Sequence, residues 1–293
     1  LFIGGEYGVP LHLALVIHAH QPVGNFDHVF EQVYRNCYLP FVETLAGFPG
    51  VRVTLHYSGC LLEWLTEHHP EWLRKVRTLV RRGQVEMLGG GFYEPILTVI
   101  PEEDRQAQLR LLSDLVEKQF GRRPRGVWLA ERVWEPTLPA TLRTAGAEFT
   151  LTDDQHFIAA GLDTEDLYGY YLTEHLGAQL KVIPGSKKLR YLIPFHSVGE
   201  TLEWLRGVAA RHPNGLAAMG DDCEEFGSWP GTHGLCYRRG WLRDFFAAVK
   251  TSRDWLQTVT ASEYLDAHPP RGVVYLPTAS YTEMTEWALP APA

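Results

Sequence analysis

Cysteine is scarce: 293 residues carry only Cys37, Cys60, Cys223 and Cys236, with no C-x-x-C pair. That excludes a disulfide scaffold or a zinc-ribbon spacing, and free thiols in a cytoplasmic protein are expected. Basic charge is also short. Lys and Arg number 27 against 35 Asp and Glu, for a net charge of −8, and basic runs stop at pairs such as Arg81-Arg82 and Arg238-Arg239. Nucleic acid and anionic membrane surfaces need a basic field, so neither is expected as a partner. No apolar run approaches the roughly 20 residues of a membrane-spanning helix. A signal-like segment, internal repeats and low-complexity tracts are missing as well.

Aromatic residues are what the chain has in quantity. Nine Trp, 13 Tyr and 13 Phe suit a protein that stacks flat apolar faces, sugar rings among them. The length permits one large α/β domain, taken as residues 1–290. Residues 291–293 read as the start of a linker, and the missing initial methionine leads us to expect a piece of something longer.

Short apolar runs alternate with amphipathic helical segments, the pattern of βα units around a parallel sheet. Strands are expected near 11–19, 51–55, 84–88, 126–130, 148–152, 216–219, 256–260 and 272–276. Helices are expected near 27–45, 61–80, 101–120, 138–145, 200–210 and 241–249. The Tyr-rich stretch 167–194 reads as a β-hairpin excursion outside this repeat. Polar and aromatic clusters lie just past the carboxyl ends of nearly all these strands. In a closed barrel such ends converge on one mouth, so an α/β barrel of seven or so units is expected rather than an open sheet.

Glu131 lies at the end of one such run, between Trp128 and Trp134. It reads either as a catalytic carboxylate or as a structural partner of Arg132. Glycoside cleavage needs two carboxyl groups, and Asp222 is the preferred second, with Asp221, Asp153 and Asp154 as competitors. Adjacent strand residues point to opposite sides, so only one of Asp221 and Asp222 is expected to face the site. His18 and His20 share a side of their strand. They could be a metal half-site, donors to sugar hydroxyls, or structural histidines, and no third ligand stands in register. Glu86 is a candidate sugar-hydroxyl acceptor or a partner for Arg or His. Trp229, in a Gly/Pro-flanked loop, is a candidate stacking platform. Gly89-Gly90-Gly91 lacks the Lys-Ser/Thr of a phosphate loop, and neither Ser58 nor Ser280 has a nucleophile-elbow context.

Four ordered motifs carry a resemblance: His18-Ala19-His20-Gln21-Pro22, Gly83-Gln84-Val85-Glu86, Trp128-Leu129-Ala130-Glu131-Arg132-Val133-Trp134, and Gly220-Asp221-Asp222 through Trp229-Pro230-Gly231-Thr232. Together they resemble the first four sequence regions of glycoside hydrolase family 57, nearest its 4-α-glucanotransferase and α-amylase members. The resemblance implies a (β/α)7 barrel and a retaining mechanism on α-glucans or maltooligosaccharides. It implies Glu131 as nucleophile and Asp222 as general acid/base. His18, His20, Glu86, Trp128 and Trp229 would line the donor-sugar subsite, with Gln21 and Asp153 also counted as substrate contacts. No cofactor and no catalytic metal are implied, and a homodimer is allowed for. Gly220, Cys223 and Glu225 depart from the family pattern, and the family's fifth region and downstream domains lie beyond the chain. Two other readings remain: a metal-dependent carbohydrate hydrolase or deacetylase using His18, His20 and an Asp, and a non-catalytic glucan-binding barrel.

Overall fold

The computed structural model describes residues 9–284, so the expected linker at 291–293 and the last residues of the 1–290 domain lie outside the described residues. Among the described residues ten strands are formed: β1 (Leu11–Ala19), β2 (Val53–Tyr57), β3 (Val85–Met87), β4 (Gly89–Gly90), β5 (Gly126–Trp128), β6 (Phe149–Asp153), β7 (Tyr171–His175), β8 (Ala178–Gly185), β9 (Leu216–Asp222) and β10 (Leu256–Val259). Every residue of β1, β2 and β6 is buried. Parallel strands covered on both faces read as continuous apolar runs rather than alternations, which is why β1 shows no polar face.

Closure depends on one bent strand. β3 pairs with β2, and after a bend at Leu88 its continuation β4 pairs with β5. Leu88 N still donates to Leu55 O at 2.8 Å. Glycine is required just past this bend. A Cβ on Gly90 would lie 2.7 Å from His56 Nε2 and 3.0 Å from Trp128 O. The cycle then runs β1, β2, β3/β4, β5, β6, β8, β9 and back to β1, all in parallel. This is the predicted (β/α)7 barrel.

Two expectations need correction. The excursion at 167–194 is only half outside the repeat: β7 is antiparallel to β8, but β8 is itself a barrel strand, parallel to β6 and β9. Leu180, Val182 and Ile183 are at most 1% exposed, so their burial draws the hairpin's second arm into the wall. Residues 272–276 form no strand. They make a bridge between Val273 and Leu172, and Val273 and Tyr275 stay exposed. β10 pairs with Leu11–Ala14, the half of β1 below the part that meets β2.

Helices clothe the outside. Trp72, Phe41, Phe245 and Phe246 are almost wholly buried in the main cluster between helices and strands, while Trp128, Leu151, Ile183 and Ala218 belong to a cluster drawn mainly from barrel strands. Packing is tight where β5 meets β6, since a Cβ on Gly126 would stand 2.2 Å from Phe149 Cζ. Gly126→Ala is therefore expected to overpack this seam and cost about 1–3 kcal/mol, read as a lowered unfolding midpoint in urea.

Candidate active site

The carboxyl ends of the strands frame a cavity of about 320 Å³. Register sets its level: His18 on β1 stands opposite His56 on β2 and Asp222 on β9. Among the described residues six carboxyl groups border the cavity (Glu94, Glu131, Asp221, Asp222, Glu225, Glu283), with Arg132 and Arg190 as the guanidinium groups.

Glu131 is delivered by a short turn after β5. Its φ is 53° and that of Arg132 is 47°, with Glu94 at 58° on the far wall. Side chains rarely adopt this left-handed backbone, and where they do the strain usually serves a site. The Tyr281 hydroxyl donates to Glu131 Oε2, and Ser280 Oγ donates to the Glu131 carbonyl at 2.6 Å. The structural alternative for Glu131 is not realised. Arg132 turns away, 5% exposed, and its Nε makes an ion pair with Asp153 Oδ2 at 2.8 Å.

Asp221 and Asp222 both border the cavity, because β9 ends at Asp222 and the chain turns into the short helix Cys223–Phe226. The expectation that only one would face the site fails for that reason. Their roles nevertheless divide. Asp221 is spent on Arg190, whose Nε donates to it at 2.8 Å, and on the backbone N–H of Asp222 at 3.0 Å. Burial first, then the neighbouring Asp221 charge, pushes the Asp222 carboxyl up to about 6. Asp154 is drawn away to accept from Lys187 N at 2.9 Å.

His18 lies flat on Trp128, ring centres 4.6 Å apart and planes within 6°. Its Nδ1 is 2.8 Å from His56 Nδ1, and its Nε2 is 3.5 Å from Glu94 Oε1. His20 Nδ1 stands 3.5 Å from the other Glu94 oxygen. Burial lowers His18 well below its ordinary range and His56 to about 3, so both rings are neutral at physiological pH. Glu94 is pushed well up by burial and by the Asp222 charge, and holds its proton. The wall is thus rich in neutral hydrogen-bonding groups. His18, His56 and Glu94 also come within 4.8 Å of one another, close enough to suggest an ion. The two Nδ1 atoms face each other at 2.8 Å, and His56 Nε2 has no hydrogen-bond partner among the described residues.

Trp128 and Trp229 both line the cavity, Trp229 at 42% exposure and stacked on Phe195 with centroids 5.9 Å apart. Three expected substrate contacts lie elsewhere. Glu86 pairs in register with Thr54, two residues below His56, and so sits toward the amino ends of the strands. It accepts from Ser262 N at 3.0 Å and from Ser262 Oγ, at the start of the helix Ala261–Ala267. Gln21 donates to Tyr38 OH at 3.2 Å, and Tyr38 in turn donates to Glu224. Asp153, 2% exposed, sits behind the wall as the anchor of Arg132. The cavity residues missed were Glu94, Arg190, Tyr191, Phe195, Glu225, Tyr281 and Glu283. Glu94 had a readable signal, since it comes after the carboxyl end of a strand like the others.

Residues 14–277 match the sequence profile of glycosyl hydrolase family 57. The chain is 50% identical over 275 residues to a 4-α-glucanotransferase of Thermococcus litoralis, covering 94% of this chain and 41% of the relative. It is 49% identical to an α-amylase of Pyrococcus horikoshii, covering 94% and 43%. It therefore spans about two fifths of the length of these curated relatives. The crystal structure of 4-α-glucanotransferase from Thermococcus litoralis superposes with a TM-score of 0.94 at 48% identity, covering 97% of this chain and 44% of the other. A polysaccharide deacetylase from Mycobacterium smegmatis, at 19% identity and a TM-score of 0.62, shares the fold alone.

Asp153 gives a test of the network behind the site. Asp153→Ala leaves the buried Arg132 without its partner, and Arg190 Nη1, 3.6 Å from the same carboxylate, loses a charge contact. Breaking a buried pair from one side costs about 3–5 kcal/mol, so chemical denaturation is expected to report a loss in that range.

Proposed function

The chain belongs to glycosyl hydrolase family 57, and from that membership and the cavity we propose that it is the barrel of a retaining α-glucan enzyme. Its reaction is of the 4-α-glucanotransferase or α-amylase type, on α-1,4-glucosidic bonds. A Glu131 oxygen bonds to the anomeric carbon as the bond to the leaving oxygen breaks, and Asp222 gives that oxygen its proton. The glycosyl ester is then opened by an acceptor hydroxyl whose proton goes to Asp222.

The observation that carries this reading is the contrast between two carboxyl groups on one wall. Glu131 is held in hydrogen-bonded form by Tyr281, whereas buried Asp222 keeps a proton to about pH 6. Environments that divide two carboxyls in this way assign acid and nucleophile. Neutral His18 and His20, with protonated Glu94, suit the hydroxyls of a sugar bound between them. The stacked Phe195–Trp229 pair offers an apolar face at the same cavity, where a sugar acceptor competes with water. Transfer between short oligosaccharides is therefore the expected main outcome.

Incubation with maltotriose, followed by chromatography and proton NMR, tests the proposal. Longer and shorter maltooligosaccharides should form with the α configuration kept, and Glu131→Gln should form none. Products of inverted configuration, or unchanged products from Glu131→Gln, would contradict it. Asp222 must be protonated to act as acid, so kcat/KM of the free protein should fall as pH rises through about 6, not through the ordinary 3.8. Asp222→Asn should remove that limb and lower glucan turnover by about 10²–10⁴.

A further inference from the structure

The residues that hold Glu131 in place come from a segment beyond the barrel strands. Ala279 exchanges backbone hydrogen bonds with Trp134, at 2.9 and 3.2 Å, which lays residues 279–281 antiparallel to the nucleophile turn. Ser280 Oγ then donates to the Glu131 carbonyl at 2.6 Å, and Tyr281 OH donates to Glu131 Oε2. The Arg132 guanidinium lies 4.4 Å from the centre of the Tyr281 ring, a cation–π contact that fixes the ring's tilt. The strap thus touches the turn at backbone, side chain and flanking residue.

This matters because Glu131 and Arg132 both carry positive φ. Backbone of that kind persists only where its surroundings over-determine it. Nothing in residues 126–134 supplies a side-chain hydrogen bond to the Glu131 carboxylate among the described contacts, and Tyr281 does so from 150 residues away.

We infer that Ala279–Ser280–Tyr281 is a positioning strap for the nucleophile, with Tyr281 as its specificity for one carboxylate oxygen. The inference rests on the proposed role of Glu131. Tyr281 engages Oε2 and leaves Oε1 as the oxygen that bonds to the anomeric carbon. When the glycosyl ester opens, the C–Oε1 bond breaks, its electron pair returns to the carboxylate, and the phenol O–H stabilises that negative charge. The phenol keeps its proton throughout, since burial and the Glu131 hydrogen bond raise it above its ordinary range.

The test compares the whole chain with Tyr281→Phe, using α-maltosyl fluoride. Fluoride departs without a proton from Asp222, so this substrate reads the nucleophile half of the reaction. Tyr281→Phe should lower kcat for fluoride release about ten- to a hundredfold, the equivalent of one hydrogen bond to a charged group. KM should stay level or fall, because ester opening is slowed as much as formation. A merely structural loss would reduce the amount of active protein and leave KM unmoved with the active-site-titrated kcat unchanged. Crystals of both proteins supply the second readout. Glu131 should hold one carboxylate orientation in the parent chain and lose it in Tyr281→Phe. An unchanged titrated kcat, or Glu131 in the same orientation without the phenol, overturns the strap. If the parent chain releases no fluoride, the proposed reaction falls by itself, and the paired crystal structures still decide whether Tyr281 orients Glu131.

Discussion

Too many acids share too little cation at the mouth of this barrel. Glu94, Glu131, Asp221, Asp222, Glu225 and Glu283 border one cavity, with Arg132 and Arg190 as its guanidinium groups. With most of these carboxyl groups buried, that surplus cannot be fully ionised, so protons must be distributed. The arginines decide who goes without. Arg190 takes Asp221 and approaches Asp153, and Arg132 takes Asp153. Burial then drives Glu94 and Glu225 well up, Glu224 to about 8 and Asp222 to about 6. Beside burial, the neighbouring Asp221 and Asp222 charges are what raise Glu225. Asp222 is the group left near the threshold, which is what a proton donor at neutral pH needs.

The fold supplies the crowding. Seven parallel strands close the barrel, and the carboxyl ends of several carry the polar groups: His18 and His20 at the end of β1, Glu94 beyond β4, the Glu131 turn after β5, Asp222 closing β9. The bent strand β3/β4 makes this convergence possible. Without the turn of this strand at Leu88, β3 and β5 would remain two open edges, and the early and late clusters would not meet.

Much of this was legible in the chain, for identifiable reasons. β1 announces itself because nine consecutive buried residues leave no room for polar alternation. That Glu131 and Asp222 reach the cavity was legible because each stands just past an apolar run. β8 was misread because the Leu176–Gly177 turn makes a hairpin signal, and its parallel pairing with β6 and β9 leaves no local mark. Glu86 was misplaced because a carboxylate near a strand end says nothing about which end. Register with Thr54, not spacing, sends it toward the helix Ala261–Ala267. The ties from Tyr281 to Glu131 and from Arg190 to Asp221 span 150 and 31 residues. Such contacts exist only once the barrel has closed, so no local pattern announces them.

In the proposed reaction Glu131 is the group that bonds to sugar. Its most direct test is to incubate the chain with a 5-fluoro-α-glucosyl fluoride, which forms the glycosyl ester faster than water or acceptor opens it. Intact mass and peptide mapping would then locate the label. One added fluoroglucosyl group is expected, carried by the peptide that contains Glu131 and absent from Glu131→Gln. A label on another carboxylate, or fluoride release with inverted product and no adduct, would contradict the role given to Glu131.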